Sequence, residues 1–158
     1  MDELDKKIIA LLVEDGRMSN NEIARILEIS EGTVRNRIRK LADAGMLKVT
    51  GLVSPDAISE KQLFFLGVKV AVSKDLSIIS EKISQLQQVQ SVYITTGRYD
   101  IIIEAWLPVK SGLIDFLCGP LASIGGIVST ETFLVMKSYG KWVQEQVSNE
   151  AAPPPEEQ

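Results

Sequence analysis

The sequence predicts an α+β chain of two parts, a three-helix N-terminal segment followed by a segment ordered β-α-β-β-α-β. Three observations carry this. Apolar residues recur at helical spacing through the first ~48 residues and are punctuated by good caps. From Leu63 onward, runs of β-forming residues alternate with two helical stretches. Basic side chains gather in one short helix, although the net charge of the 158-residue chain is −4.

The first helix is expected from about Leu4 to Glu14, with Leu4, Ile8, Leu11 and Leu12 on one face and Gly16 ending it. Ser19 caps the second, and Glu22 is spaced to close a capping box. Ile23, Ile26 and Leu27 form its apolar stripe. Ser30 caps the third, whose buried face is Val34, Ile38 and Leu41 and whose αL stop is Ala44-Gly45. Glu28-Ile29-Ser30 is a connection of helix-turn-helix length. Met46–Thr50 reads as a short extended wing, so the segment is expected to be a winged helix-turn-helix.

The third helix carries the chemistry. At ~100° per residue, Gly32, Asn36 and Arg39 point away from its buried face, with Thr33, Arg35 and Lys40 flanking them. This set suits a DNA major groove. Gly32 permits close approach, Asn36 reads adenine, Arg35 or Arg39 reads guanine, and Thr33 and Lys40 hold phosphate. Arg37 lies nearer the core edge and suits a phosphate or a backbone partner. Ser19, Asn20 and Ser30, at the helix starts, complete the expected DNA-binding set. Within residues 33–48, Arg35, Arg37, Arg39, Lys40 and Lys48 face one acid, Asp43. That is the footprint of a small DNA-contacting face on an acidic chain.

In the second part, strands are expected at Leu63–Val72, Val92–Thr96, Ile101–Leu107 and Val128–Met136, the last extended by Tyr139–Val147. Helices are expected at Leu76–Val89 and Ser111–Ile124, the second kinked at Gly119-Pro120. The order is that of a ferredoxin-like βαββαβ unit, a four-stranded sheet with both helices on one face. Apolar residues fall on both sides of the strands, so the other face is expected to meet a second subunit. The boundaries follow: 1–50 for DNA binding, 51–62 as linker, 63–147 for ligand sensing and oligomerisation, and 148–158 as a disordered proline-rich tail.

Composition narrows the classes. With 45 % apolar and 24 % charged residues the chain reads as globular. No apolar run reaches the ~18 residues of a membrane span. The opening Met1-Asp2-Glu3-Leu4-Asp5 is unlike a secretory signal. The single cysteine, Cys118, makes no internal disulfide and is expected as a small core residue, which fits a reducing cytoplasm. Histidine is absent, removing the commonest general base and metal ligand. No cofactor, metal or catalytic residue is expected.

Taken together, residues 2–147 resemble the Lrp/AsnC family of feast/famine regulators. The resemblance runs through Leu4-Asp5-Lys6-Lys7-Ile8-Ile9, Asp15-Gly16-Arg17-Met18-Ser19, Thr33-Val34, Arg37-Ile38-Arg39-Lys40-Leu41, Ala44-Gly45-Met46-Leu47 and Gly97-Arg98-Tyr99-Asp100. It implies a homodimer built through the βαββαβ (RAM) domain, often assembled into an octamer, with an amino acid or similar effector at the interface. By position, the resemblance places the effector against Ile94, Thr96, Gly97, Arg98, Tyr99 and Asp100, with Thr132, Phe133, Leu134 and Val135 added by the last strand. The physics agrees: Gly97 frees backbone amides for a carboxylate, and Asp100 suits an ammonium group.

Arg98 departs from the family, where an acid is frequent. Two roles stay open for it: favouring an acidic effector, or lying outside the pocket and bonding Glu104 or another subunit. The resulting expectation is a cytoplasmic, non-enzymatic regulator that binds double-stranded DNA. The rival readings are an architectural DNA-wrapping protein without effector and a relative of haem-biosynthesis decarboxylases, the latter disfavoured by the missing histidine.

Overall fold

The computed structural model describes residues 1–144. Two compact units are present, one built on Met1–Val53 and the other on Ser54–Val143.

The N-terminal unit holds α1 (Glu3–Glu14), α2 (Asn20–Ile26) and α3 (Glu31–Asp43). Each helix begins at a side-chain cap. Ser19 Oγ accepts from the Glu22 amide at 3.2 Å, and Glu22 Oε2 accepts in return from the Ser19 amide at 2.9 Å. Ser30 Oγ accepts from the Thr33 amide at 3.1 Å. Asp2 and Asp5 form a further capping box at the head of α1, which the Asp-x-x-Asp spacing conceals because the acceptors usual there are Ser/Thr and Glu/Gln. Gly45, at φ +66°, closes α3: its amide donates to Ala42 and the Met46 amide to Leu41, each at 2.9 Å. Ile8, Ile23, Ala24 and Val34 form the buried centre, with Leu4, Leu11, Leu12, Leu27, Ile29 and Ile38 around it.

Between α2 and α3 the chain turns through Glu28 at φ +54°, a left-handed conformation that costs an L-residue roughly 1–2 kcal/mol. Glu28→Gly relieves that strain but adds freedom to the unfolded chain. The expected net gain is about 0.5–1 kcal/mol in urea unfolding. Met46–Thr50, expected as a wing strand, forms no strand.

The C-terminal unit runs β1 (Lys61–Val70), α4 (Leu76–Ser84), β2 (Val89–Ile94), β3 (Ile101–Pro108), α5 (Gly112–Phe116) and β4 (Ile127–Leu134). The sheet order is β2-β3-β1-β4 with every neighbouring pair antiparallel, the ferredoxin-like arrangement. Phe64, Leu66 and Val68 of β1 and Ile101, Ile103, Ala105 and Leu107 of β3 face one side. There they pack with Ile79 and Ile83 of α4 and with Phe116, Leu121 and Ile124.

Several boundaries differ from the expectation. The helix expected to run to Val89 stops at Ser84, because Leu86 and Val89 reach the core by a tight turn rather than by helix. The Leu86 amide bonds to Ile83 and the Val89 amide to Leu86, and Val89 then pairs with Ala105 as the start of β2. The register shifts between Val89 and Ser91, so Gln90 is the extra residue of a bulge. The helix expected over Ser111–Ile124 passes from α5 into a π turn at Leu117–Leu121 that contains Pro120. Cys118 is exposed on that turn, a correction to the core placement: the wider turn rotates it out of the apolar stripe. Tyr139–Gln144 does not extend the last strand as a ladder; residues 145–147 and the expected tail, 148–158, lie outside the described residues. Structure of the second unit begins within the expected linker, where Lys137 Nζ meets Asp56 Oδ2 at 3.0 Å.

Candidate DNA-contacting face and effector site

Most of the expected DNA-contacting set lies on α3, with Ser19 and Asn20 at the start of α2. Val34 and Leu41 are buried and turn the opposite side outward, so that Arg35, Asn36, Arg39 and Lys40 are exposed and Gly32 and Thr33 half-buried. Two of these side chains have only loose neighbours within the helix. Arg35 Nη1 lies 3.5 Å from Glu31 Oε2, and Arg39 Nη2 donates to Asn36 Oδ1 at 3.4 Å. Exposed contacts of this kind are weak and yield readily to a phosphate or a base edge. Ser19 and Ser30 are engaged as caps, Ser30 Oγ also lying 2.8 Å from Thr33 Oγ1. Asn20, half-buried, is the first residue of α2.

Arg37 stands apart from that face. Its Nη1 donates to Asp2 Oδ2 at 2.6 Å and to Asp5 Oδ1 at 2.8 Å, tying α3 to the head of α1. The Asp5 amide and Arg37 hold the Asp2 carboxyl down to about 2. The Asp2 amide and Arg37 lower Asp5 likewise. Both folded-state values are depressed, so this stabilisation is complete above the ordinary aspartate value of 3.8 and is lost as pH falls toward about 2. Arg37→Gln is therefore expected to lower the unfolding midpoint at neutral pH, and the gap from the parent should close on acidification. It should leave the salt dependence of DNA binding unchanged, whereas loss of a phosphate contact would reduce the slope by ~1.

Of the expected effector set, Thr96, Gly97, Arg98, Tyr99 and Asp100 form the loop between β2 and β3. The Asp100 amide donates to Val68 O, and the Thr95 amide and hydroxyl bond Asp100 O and Tyr99 O, each at 2.9 Å. Gly97, at φ +110°, makes the turn. The loop lays the Tyr99 ring over Gly67 of β1, where a Cβ would stand 2.5 Å from Tyr99 Cγ. Only glycine leaves room for the ring. Tyr99 meets Phe133 edge-on at 6.2 Å between centroids, and its hydroxyl donates to Glu131. That bond raises the phenol above its ordinary value. Arg98 lies over the Tyr99 ring at 5.4 Å and pairs with Glu131 Oε2 at 3.0 Å.

Asp100 is not presented as a free carboxylate. It accepts from the Val70 amide at 3.0 Å and meets Lys69 Nζ at 3.4 Å, contacts that hold its carboxyl below the ordinary range. Strand alternation divides the other residues. Phe133 pairs with Phe65, and Glu131 with Gly67, on the Tyr99 side of the sheet. Thr132 and Leu134 pair with Leu66 and Phe64, and Ile94 with Ile101, on the helix side. Thr96 is exposed beside Gly97, and the Val135 amide bonds to Leu63 O at 3.0 Å. Of the two roles open for Arg98, a bond to Glu104 is not formed. Glu104, 2 % exposed, pairs with Lys141 at 2.7 Å instead. Sequence reasoning missed Asp2, Asp5 and Glu131, since each is defined by a partner distant in sequence or by strand register.

Residues 1–42 match the AsnC-type helix-turn-helix domain, and residues 63–141 match the Lrp/AsnC ligand binding domain. The chain is similar to the HTH-type transcriptional regulator FL11 of Pyrococcus horikoshii, 35 % identical over 140 residues, which span 88 % of this chain and 91 % of that protein. Among solved structures, E. coli AsnC aligns with a TM-score of 0.65 and 29 % identity over 87 % of this chain and 93 % of its own. A transcriptional regulator from Neisseria meningitidis, solved as its L-Met complex, shares the fold with a TM-score of 0.62 at 22 % identity, over 98 % of this chain and 96 % of that one.

Proposed function

The chain belongs to the Lrp/AsnC family of transcriptional regulators, and from that premise we propose that it binds specific DNA sequences under the control of a small carboxylate-bearing metabolite, an amino acid or a close relative. The observation that carries the DNA half is the exposed quartet Arg35, Asn36, Arg39 and Lys40 on the outward side of a capped α3. Asn36 and Arg35 serve as the base readers, and Lys40 holds the phosphate backbone, joined by Arg39 once Arg35 takes the guanine. Arg37 sets the helix in place rather than touching DNA.

The effector half is supported by the loop of Gly97–Asp100 seated on Gly67 in the part of the chain that matches the family's ligand-binding domain. The working form is a cytoplasmic homodimer or a higher assembly of dimers. Tyr93, Phe133 and Trp142 expose 47 %, 45 % and 61 % of their surfaces, which supports apolar contact with a second copy. Effector binding at that contact would change the spacing of the paired recognition helices and so their fit to two half-sites. Residues 1–50 are assigned to DNA, 51–62 to the connection and 63–147 to sensing and assembly. The test is selection of bound genomic fragments with and without an amino-acid mixture. A short motif recovered reproducibly, with occupancy that changes with the mixture, is expected. Recovery of no motif removes the DNA half, and occupancy indifferent to the mixture leaves an architectural protein without effector.

A further inference from the structure

Glu131 belongs to the loop cluster, although neither the family resemblance nor the effector set includes it. One of its oxygens accepts from the Tyr99 hydroxyl and lies 3.0 Å from Arg98 Nη2. Tyr99 is held from below by Gly67 and from the side by Phe133, and Arg98 is held against the Tyr99 ring. A guanidinium and a phenol converging on one oxygen are the donors with which a protein recognises a carboxylate. Here the carboxylate is supplied by the chain itself, from the edge strand β4, paired in register with Gly67. Neighbouring charges do not compete for it, since Lys69 is taken by Asp100 and Lys141 by Glu104.

We propose that Glu131 is an internal competitor that occupies the Arg98–Tyr99 carboxylate site, and that the carboxylate of a ligand binds there by displacing it. The inference rests on the reading of the loop as the effector site and names how that site is regulated. The exchange puts one carboxylate in place of another on Arg98, while the displaced Glu131 keeps its own charge in water, where the ammonium group of an amino acid can offset it. The Glu131 side chain is already 41 % exposed, so it reaches water without losing a buried environment. A monocarboxylate, including the α-carboxylate of an amino acid, satisfies both donors. A cation at Arg98 is thereby reconciled with a neutral effector, because the positive charge is balanced in the free and the bound states alike.

The test titrates acetate into the full-length protein at constant ionic strength, with chloride as the control, and follows the Arg98 Nε–H and Gly97 amide signals by NMR. If Glu131 fills the site for nine-tenths of the time or more, removing it strengthens apparent affinity by at least about 10-fold. Glu131→Gln and Glu131→Ala should both show this gain, and Arg98→Gln added to either should abolish it. The amide spectrum of each variant reports whether it is folded, and the near-isosteric Glu131→Gln guards against loss of fold in the alanine form. Equal acetate affinity in parent and variants, or no acetate-dependent shift at Arg98 in the variants, would overturn the proposal. DNA binding with and without amino acids separates the two readings. If the acetate gain appears while amino acids leave DNA binding unchanged, the carboxylate site stands and the effector reading falls. If amino acids act on DNA binding but the acetate gain is missing, the internal-competitor proposal falls alone.

Discussion

Alanine at both Arg39 and Lys40 is expected to weaken binding to any duplex about 10- to 100-fold near 0.15 M salt and to take ~2 from the salt slope for each recognition helix. Each phosphate contact releases condensed counterions and contributes ~0.9 to the slope, so the loss is largest at low salt and shrinks as salt rises. Both side chains are exposed and neither packs in the core of Ile8, Ile23, Ala24 and Val34, so the fold should survive. Asn36→Ala should behave differently. A bidentate contact to adenine is worth ~1–3 kcal/mol of discrimination, so this variant should lose selectivity among sequences while keeping its salt slope. Fluorescence anisotropy against a selected site and a scrambled duplex at several salt concentrations separates the two effects.

Gly67→Val is the second large effect. The valine Cβ would sit 2.5–2.7 Å from three carbons of the Tyr99 ring, which a rigid ring cannot absorb by rotating a flexible end. The ring must leave its seat, and with it the contacts to Glu131, Phe133 and Arg98. Overpacking of this kind costs about 1–3 kcal/mol, measurable in urea. Functionally, the variant should bind DNA as the parent does and fail to respond to any effector. Adding Tyr99→Ala removes the clash and should restore most of the stability without restoring the response. The two substitutions are then non-additive in stability, as expected for residues in direct contact.

Much of this was legible in the sequence because it depends on local chemistry. Ser19 with Glu22, Ser30 and Gly45 mark helix ends through bonds made within a few residues. The order of strands and helices followed from a change in apolar period. What escaped was decided by partners far along the chain. Arg37 looks like its exposed neighbours until α1 brings Asp2 and Asp5 against it. Glu131 gains meaning only when β4 pairs with β1 and the loop folds over Gly67. The apolar spacing of Leu86 and Val89 indicates burial correctly, but it fits a turn and strand as well as a helix. Cys118 reads as buried from an α-helical period that the π turn interrupts. Contiguity in sequence also groups Thr132, Phe133 and Leu134, which the pleat of β4 sends to opposite faces.

In the proposed function α3 reads DNA while the loop over Gly67 governs it. The most direct measurement is the affinity of the protein for its selected site, with and without an amino-acid mixture, in the parent and in Gly67→Val. Steep salt dependence is expected in both proteins, with an effector-dependent change in affinity in the parent alone. Shallow salt dependence with no preference over a scrambled duplex, or an effector response that survives in Gly67→Val with Tyr99 displaced, would contradict this reading.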